Sequence, residues 1–222
     1  MLINADFSRR AIVTPHEHQW VASRQRGVDR VMLDRLGEES ARATSIVRYA
    51  PGSGYPHHAH PGGEEILVLS GTFSEGDEHY PAGWYLRNPP GSSHQPSSGE
   101  GAIIFVKLWQ MPPDENRRVR IDTRNPFSWQ HQGGREVCPL FSGTAEQVCL
   151  QHIAPHEVLF ANPAGGAELL VLAGEVVTGD QSYERGSWMR LPEGEYPEMA
   201  AGAQGAALYL KTGHLADMVK KA

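Results

Sequence analysis

Apolar residues occur along the chain in short segments separated by turn residues. Residues 45–49, 65–69 and 103–107 are typical: they are rich in β-branched and aromatic side chains and are bounded by glycine or proline. Such segments predict short β-strands, and their close spacing favours an antiparallel sandwich or barrel. Only residues 213–222 have a helical pattern. The sequence therefore predicts an all-β fold.

The chain contains an internal repeat. Residues 62–71 (GGEEILVLSG) match residues 165–174 (GGAELLVLAG), and the same offset aligns glycines, prolines and a tyrosine further along both copies. Self-similarity of this length indicates two copies of one domain. We place the first copy at residues 1–113 and the second at 114–222, joined by a polar segment that contains proline.

Composition and charge narrow the function classes. Hydrophobic residues make up 40% of the chain, which excludes intrinsic disorder as its overall state. The chain has 20 basic and 26 acidic residues, and the basic residues form no cluster of the kind that binds nucleic acid. No apolar run approaches the ~20 residues of a membrane span, and the first residues do not resemble a secretory signal. Cys138 and Cys149 form neither a CxxC motif nor a disulfide framework. We expect a cytoplasmic protein with neither nucleic-acid nor membrane partners.

Four side chains of the first copy have the spacing of metal ligands. His58 and His60 point to the same face of a strand, and Glu64 shares their parity. His94 follows a Pro-Pro-Gly turn that would direct it from a neighbouring strand. Three imidazoles and one carboxylate suit Zn²⁺, Fe²⁺, Mn²⁺, Ni²⁺ or Cu²⁺. A metal that accepts five or six ligands would keep one or two coordination positions open to water, O₂ or substrate.

These residues form two motifs that resemble the signatures of the cupin superfamily: G-x5-H-x-H-x3-E-x6-G from Gly52, and G-x5-P-x-G-x2-H from Gly83. The one departure is Ser98, where the second signature often has Asn. Several strings, above all residues 42–53 and 60–69, resemble the ChrR-type cupins, a family named for the C-terminal domain of the anti-sigma factor ChrR. The resemblance implies a jelly-roll β-barrel with a zinc site, whose ligands would be His58, His60, Glu64 and His94.

The second copy has lost these ligands. At the repeat offset its positions hold Ala161, Pro163, Ala167 and Pro197. We therefore predict two tandem cupin barrels, the second of them degenerate. The chain would bind one divalent metal, with Zn²⁺ favoured and Fe²⁺, Mn²⁺ or Ni²⁺ as alternatives.

Residues close to the ligands have simpler explanations. Glu65 has the opposite strand parity and recurs in the second copy as Glu168, which indicates a structural role. Arg87 and Lys107 also recur in the copy without ligands, which favours a structural role such as an ion pair. The parity of His57 points it away from the metal.

Two functions remain open, and with them the question of whether the chain is an enzyme. The ChrR resemblance implies a zinc-binding module that senses a small molecule or oxidative stress. The alternative is an Fe²⁺ dioxygenase that cleaves a C–C bond in a diketone or hydroxyketone, as related cupins do. Full ChrR-type anti-sigma factors carry an N-terminal domain with a CxxC zinc site, and only residues 1–41 precede the cupin here. We therefore expect a small-molecule ligand and no direct contact with a sigma factor. The sequence leaves open whether the chain forms a homodimer.

Overall fold

The computed structural model describes residues 1–38, 41–162, 164–194, 196 and 198–216. The chain forms two compact units. The first unit comprises Met1–Ala5 and Gln19–Asn125, and the second comprises Asp6–His18 and Pro126–Ala222. The predicted copies, 1–113 and 114–222, differ from these units because a segment near the start of each copy belongs to the unit of the other. The copies themselves stay a prediction from the sequence.

β-Strands account for nearly all of the regular structure. The first seven are β1 (Leu2–Ile3), β2 (Ala11–Val13), β3 (Val21–Ala22), β4 (Val28–Leu36), β5 (Arg42–Tyr49), β6 (Ser53–Gly54) and β7 (His58–His60). The next seven are β8 (Glu64–Glu75), β9 (Glu78–Pro81), β10 (Trp84–Asn88), β11 (Ser92–His94), β12 (Pro96–Ser98), β13 (Ala102–Leu108) and β14 (Val119–Asp122). The last seven are β15 (Gln130–Gln132), β16 (Arg135–Ser142), β17 (Gln147–Ile153), β18 (Ala164–Thr178), β19 (Gln181–Glu184), β20 (Trp188–Gly194) and β21 (Met199–Thr212).

Helical structure in the described residues is confined to two 3₁₀ turns, at Pro15–Glu17 and Pro126–Ser128. The prediction of an all-β fold is confirmed. Of the helix predicted at 213–222, residues 213–216 form turns and the remainder lies outside the described residues. None of the helical segments in the described ranges is long and apolar enough to cross a membrane.

The two units repeat one strand order. In the first unit the main sheet runs β1-β4-β5-β13-β8-β10-β14, and in the second it runs β15-β16-β17-β21-β18-β20-β2. The edge strands β14 and β2 each come from a segment near the start of one predicted copy and belong to the unit of the other. Each adds antiparallel to the equivalent strand, β14 to β10 and β2 to β20. The repeated sequence thus encodes a repeated topology.

Successive side chains of strand β8 alternate between the two faces of the sheet, and one of these faces forms part of the first unit's core. Glu64, Ile66 and Val68 share one face of the strand. Ile66 and Val68 pack in the core with Ile104 and Val106 from β13. The ionisable member of this face, Glu64, therefore lies at the end of an apolar interior.

Glu65 lies on the other face of β8, between two basic residues. The strand register places Arg87 on β10 and Lys107 on β13 opposite it, and Arg87 Nη1 lies 3.2 Å from Glu65 Oε2. All three side chains are buried. The second unit repeats the register with Glu168, Arg190 and Lys211. The structural role predicted for Glu65 and the ion pair predicted for Arg87 are confirmed.

Gly71 allows two strands to approach closely. Its φ is +67°, and a Cβ built there would lie 1.9 Å from the carbonyl oxygen of Gly101. We expect Gly71→Ala to lower the free energy of unfolding by about 2–5 kcal/mol, because the left-handed backbone and the overpacking each disfavour alanine. Gly76 has a φ of +62° but open space around it, so Gly76→Ala should cost only about 1–2 kcal/mol. Urea unfolding measures both, and equal losses would contradict the importance of the close approach.

Candidate metal centre

Two short strands and one turn bring the predicted ligands together. Strands β7 and β11 pair antiparallel, with His58 opposite His94 in register. His60 lies two residues beyond His58 and so projects from the same face. The turn after β7 closes with a hydrogen bond from the Gly63 amide to the His60 carbonyl, 3.0 Å long, and then delivers Glu64 at the start of β8.

The ligand atoms of these residues converge. His60 Nε2 lies 2.9 Å from His94 Nε2, and each lies 3.5 Å from Glu64 Oε2. His58, His60 and His94 each offer one ring nitrogen within 4.8 Å of the others. A metal with ligand bonds of about 2.0–2.1 Å holds adjacent ligand atoms about 3.0–3.4 Å apart, so this donor set fits a divalent ion.

Hydrogen bonds at Nδ1 turn the Nε2 atoms of two imidazoles toward the centre. His58 Nδ1 lies 2.8 Å from the Pro56 carbonyl oxygen, and His94 Nδ1 lies 2.6 Å from Glu75 Oε1. A carbonyl and a carboxylate only accept hydrogen bonds, so Nδ1 carries the proton and Nε2 keeps its lone pair in the neutral ring. That is the tautomer and orientation that metal-binding histidines adopt.

Comparison with known proteins is consistent with this geometry. Residues 8–112 match the family model described as the ChrR cupin-like domain. The match includes all four residues of the centre, and the family predicted from the motifs is confirmed. No curated protein sequence matches the chain.

Solved structures show that the chain has the cupin fold. A candidate dioxygenase from Nostoc punctiforme has a TM-score of 0.76 at 17% identity, over 94% of this chain and 84% of its own. A nickel(II) complex of the Escherichia coli pirin YhhW has a TM-score of 0.63 at 12% identity, over 92% and 98%. A cupin 2 conserved barrel domain protein from Leptotrichia buccalis has a TM-score of 0.57 at 13% identity, over 87% and 92%.

A buried network that was not predicted holds His94 in place. Glu75 Oε2 accepts a hydrogen bond of 2.6 Å from Arg120 Nη2, and Glu75 Oε1 accepts one of 3.0 Å from Asn88 Nδ2. Asn88 Nδ2 also donates to Glu64 Oε2 at 3.1 Å, so one amide connects both carboxylates. Glu75 lies on the Nδ1 side of the His94 ring and orients it, whereas Glu64 lies on the Nε2 side.

Burial and charge set the protonation of the centre. Burial lowers the pKa of His60, which keeps the ring in the neutral form that binds metal. Burial also opposes charge on His94, but the hydrogen bond to Glu75 and the charges of Glu64 and Glu75 outweigh it and raise the pKa. Burial disfavours the Glu75 carboxylate, yet its bonds to His94 and Asn88 and the charge of Arg120 lower its pKa to about 2.

A cavity of about 270 Å³ opens beside the ligands. Its apolar wall is formed by side chains of β5 and β13, among them Val47, Ile104 and Val106. His58, His60 and Glu64 line it as well, so a ligand in the cavity would meet the metal. The centre is therefore accessible to a small molecule.

The other residues considered from the sequence lie away from this cluster. His57 is exposed. In the second unit Ala161 and Ala167 stand at two lost ligand positions, while Pro163 and Pro197 lie outside the described residues. Within the described ranges, two groups of side chains could hold a metal, and both belong to the first unit. One is His58, His60 and His94, and the other is Glu64, Glu75 and His94.

Replacing Glu75 should weaken metal binding. We expect Glu75→Gln to lower metal affinity by about 10–100-fold, because His94 loses the charged acceptor that orients it. Competition against a chelating dye measures the affinity. Glu100→Gln removes an exposed carboxylate of the same unit and should leave it unchanged. Equal affinities in the two variants would contradict the role of Glu75.

Proposed function

We propose that the first unit binds one divalent metal through His58, His60, Glu64 and His94 and is a metal-dependent dioxygenase. Its substrate would be a small β-dicarbonyl compound or hydroxyketone, in which a C–C bond is cleaved and both atoms of O₂ enter the products. The observation that carries this proposal is the convergence of the four ligand side chains beside a cavity of about 270 Å³.

The chain's own residues have separable tasks in such a reaction. His58, His60 and His94 would hold the metal as neutral imidazoles, and Glu64 would lower its net charge. When bound, Fe²⁺ would supply redox chemistry and would polarise a substrate carbonyl. The apolar wall of the cavity would exclude water from the reacting atoms.

Tyr49 would supply a hydrogen-bond donor beside the centre. Burial, and to a smaller extent the negative charge of Glu64, raises the pKa of the Tyr49 phenol, which therefore stays protonated. The side chain lines the cavity and can donate to a substrate oxygen without gaining charge. The described part of the cavity wall thus offers both a hydrogen-bond donor and an apolar surface.

The family match favours a second candidate, a sensory module. Zn²⁺ would then be held by the same four ligands, and binding of a small ligand or an oxidant in the cavity would alter the domain's contacts with a partner. Because zinc has no redox chemistry of its own, this version predicts no oxygen consumption. It predicts that peroxide or a small carboxylate changes metal occupancy or thermal stability.

Oxygen uptake distinguishes the two candidates. Protein purified without oxygen and loaded with Fe²⁺ should consume O₂ with at least one member of a panel of β-diketones, hydroxyketones and β-keto acids. Zn²⁺-loaded protein and His94→Ala serve as controls and should consume none. Absence of uptake from iron-loaded protein across the panel would contradict the dioxygenase proposal.

A further inference from the structure

Two arginines line the cavity beside the metal ligands. Arg30 and Arg35 both come from β4, five residues apart, an odd spacing that places them on opposite faces of a regular strand. A register shift between Met32 and Asp34 reverses the alternation, so that both arginines reach the same space. A bulge thus directs a second guanidinium into the interior.

Contacts connect Arg30 with the metal centre, and the charge of Arg30 acts on Arg35. Arg30 Nη2 lies 3.4 Å from the Tyr55 hydroxyl, and the Tyr55 ring packs 5.7 Å from that of His58. Burial, followed by the nearby charge of Arg30, lowers the pKa of Arg35. Arg35 is only 9% exposed. The two cations therefore share one confined space next to the proposed ligands.

Acidic residues of the same strand pair elsewhere. Asp29 Oδ2 lies 2.8 Å from Arg48 Nη2, and Asp34 Oδ2 lies 3.6 Å from Arg42 Nη1. Among the described residues, the carboxylate that lines the cavity is Glu64, which the metal would neutralise. With a divalent ion in place, the cavity carries net positive charge.

We infer that the cavity takes a small molecule with a carboxylate group, which Arg30 and Arg35 bind while a second oxygen of the molecule faces the metal. Guanidinium groups match the planar geometry of a carboxylate and form charge-assisted hydrogen bonds with it. The cavity, at about 270 Å³, lies at the small end of ligand sites. A β-keto acid meets these requirements. The inference rests on the proposed metal centre and specifies its substrate class.

Acetoacetate and acetylacetone form a matched pair of probes. They have the same number of non-hydrogen atoms, and a carboxylate in one replaces a methyl ketone in the other. Isothermal titration of Zn²⁺-loaded protein measures binding of each without any turnover. Wild-type protein should bind acetoacetate, and the absence of a binding signal would overturn the inference.

Substitution of the arginines decides whether they read the charge. Arg30→Gln and Arg35→Gln should each weaken acetoacetate binding by at least about tenfold while leaving acetylacetone within about twofold. Arg48→Gln, whose side chain pairs with Asp29, is the matched control and should alter neither. Unchanged acetoacetate affinity, or equal weakening of both probes, would overturn the inference. Replacing the buried Arg35 can also affect folding, so a milder variant is placed at the less buried Arg30. Arg30→Lys keeps the charge and should retain part of the preference for acetoacetate.

Metal content of the same samples separates this inference from the metal proposal. Stoichiometric zinc with no arginine-dependent acetoacetate binding would contradict the carboxylate site alone. Arginine-dependent binding in protein that retains no metal would contradict the metal centre and support the carboxylate site. Loss of both would contradict the two together.

Discussion

Replacing Glu64 and His94 together with alanine is expected to abolish metal binding. The double variant loses the carboxylate and one of the three imidazoles, and the remaining pair, His58 and His60, comes from one short strand. We expect affinity to fall by more than about a hundredfold, the upper end of what removal of an orienting group alone costs. Elemental mass spectrometry of purified protein measures the bound metal directly.

His57→Ala is the matched control for this experiment. His57 precedes His58 in the chain but is exposed and lies outside the cluster of ring nitrogens. This variant should retain one metal per chain. Added metal should also raise the melting temperature of the wild type and of the control but not of the double variant. The reason is that a metal stabilises the folded state only of a protein that binds it. Retention of metal by the double variant would show that the site lies elsewhere.

The second large effect is expected on stability, at the buried Arg87–Glu65 pair. Arg87 is fully buried and Glu65 is 3% exposed. We expect Arg87→Met to lower the free energy of unfolding by about 3–5 kcal/mol, because it leaves the Glu65 carboxylate buried without its ion-pair partner on β10. Adding Glu65→Met should recover part of the loss, since no carboxylate then remains to be compensated. Denaturant unfolding measures all three proteins.

Arg118→Met provides the exposed comparison. Its side chain is 54% exposed and pairs with Glu78, which is exposed to the same degree, whereas its distance to the buried Glu75 Oε2 is 3.8 Å. Exposed pairs of this kind contribute only about 0–1 kcal/mol, so this variant should unfold almost as the wild type does. If Arg87→Met were no more destabilising than Arg118→Met, the buried pair would not have the structural role assigned to it.

Regular alternation explains what the sequence could predict. His58 and His60 share a strand face, and Glu64 and Glu65 lie on opposite faces of β8, as the period of two requires. The repeat added a comparison within the chain, because Glu65 recurs as Glu168 where the metal ligands do not. Both lines of argument use local spacing, which the fold preserves.

Bulges explain two residues that sequence reasoning missed. Glu75 is eleven residues from Glu64 on the same strand, an odd spacing that predicts opposite faces. The register of β8 against β13 shifts at Ile103 and Ile104, which reverses the phase and brings Glu75 to His94. The same effect in β4 brings Arg35 beside Arg30. A single-residue bulge leaves no recognisable mark in one sequence.

Long-range pairing explains the third omission, Arg120. It lies near the start of the predicted second copy, in the segment just after the predicted linker. In the structure this segment forms β14, pairs with β10 and places the Arg120 guanidinium on Glu75. Because the strand joins the sheet at its edge, only the tertiary structure shows that the residue belongs to the metal centre.

The metal content of the wild-type protein tests the central claim most directly. Untagged protein would be purified without oxygen from cells grown in unsupplemented medium and analysed by elemental mass spectrometry. One divalent transition metal per chain is the predicted result, with iron favouring the dioxygenase and zinc the sensory module. Protein that contains no such metal, and takes up none when it is supplied, would contradict the account.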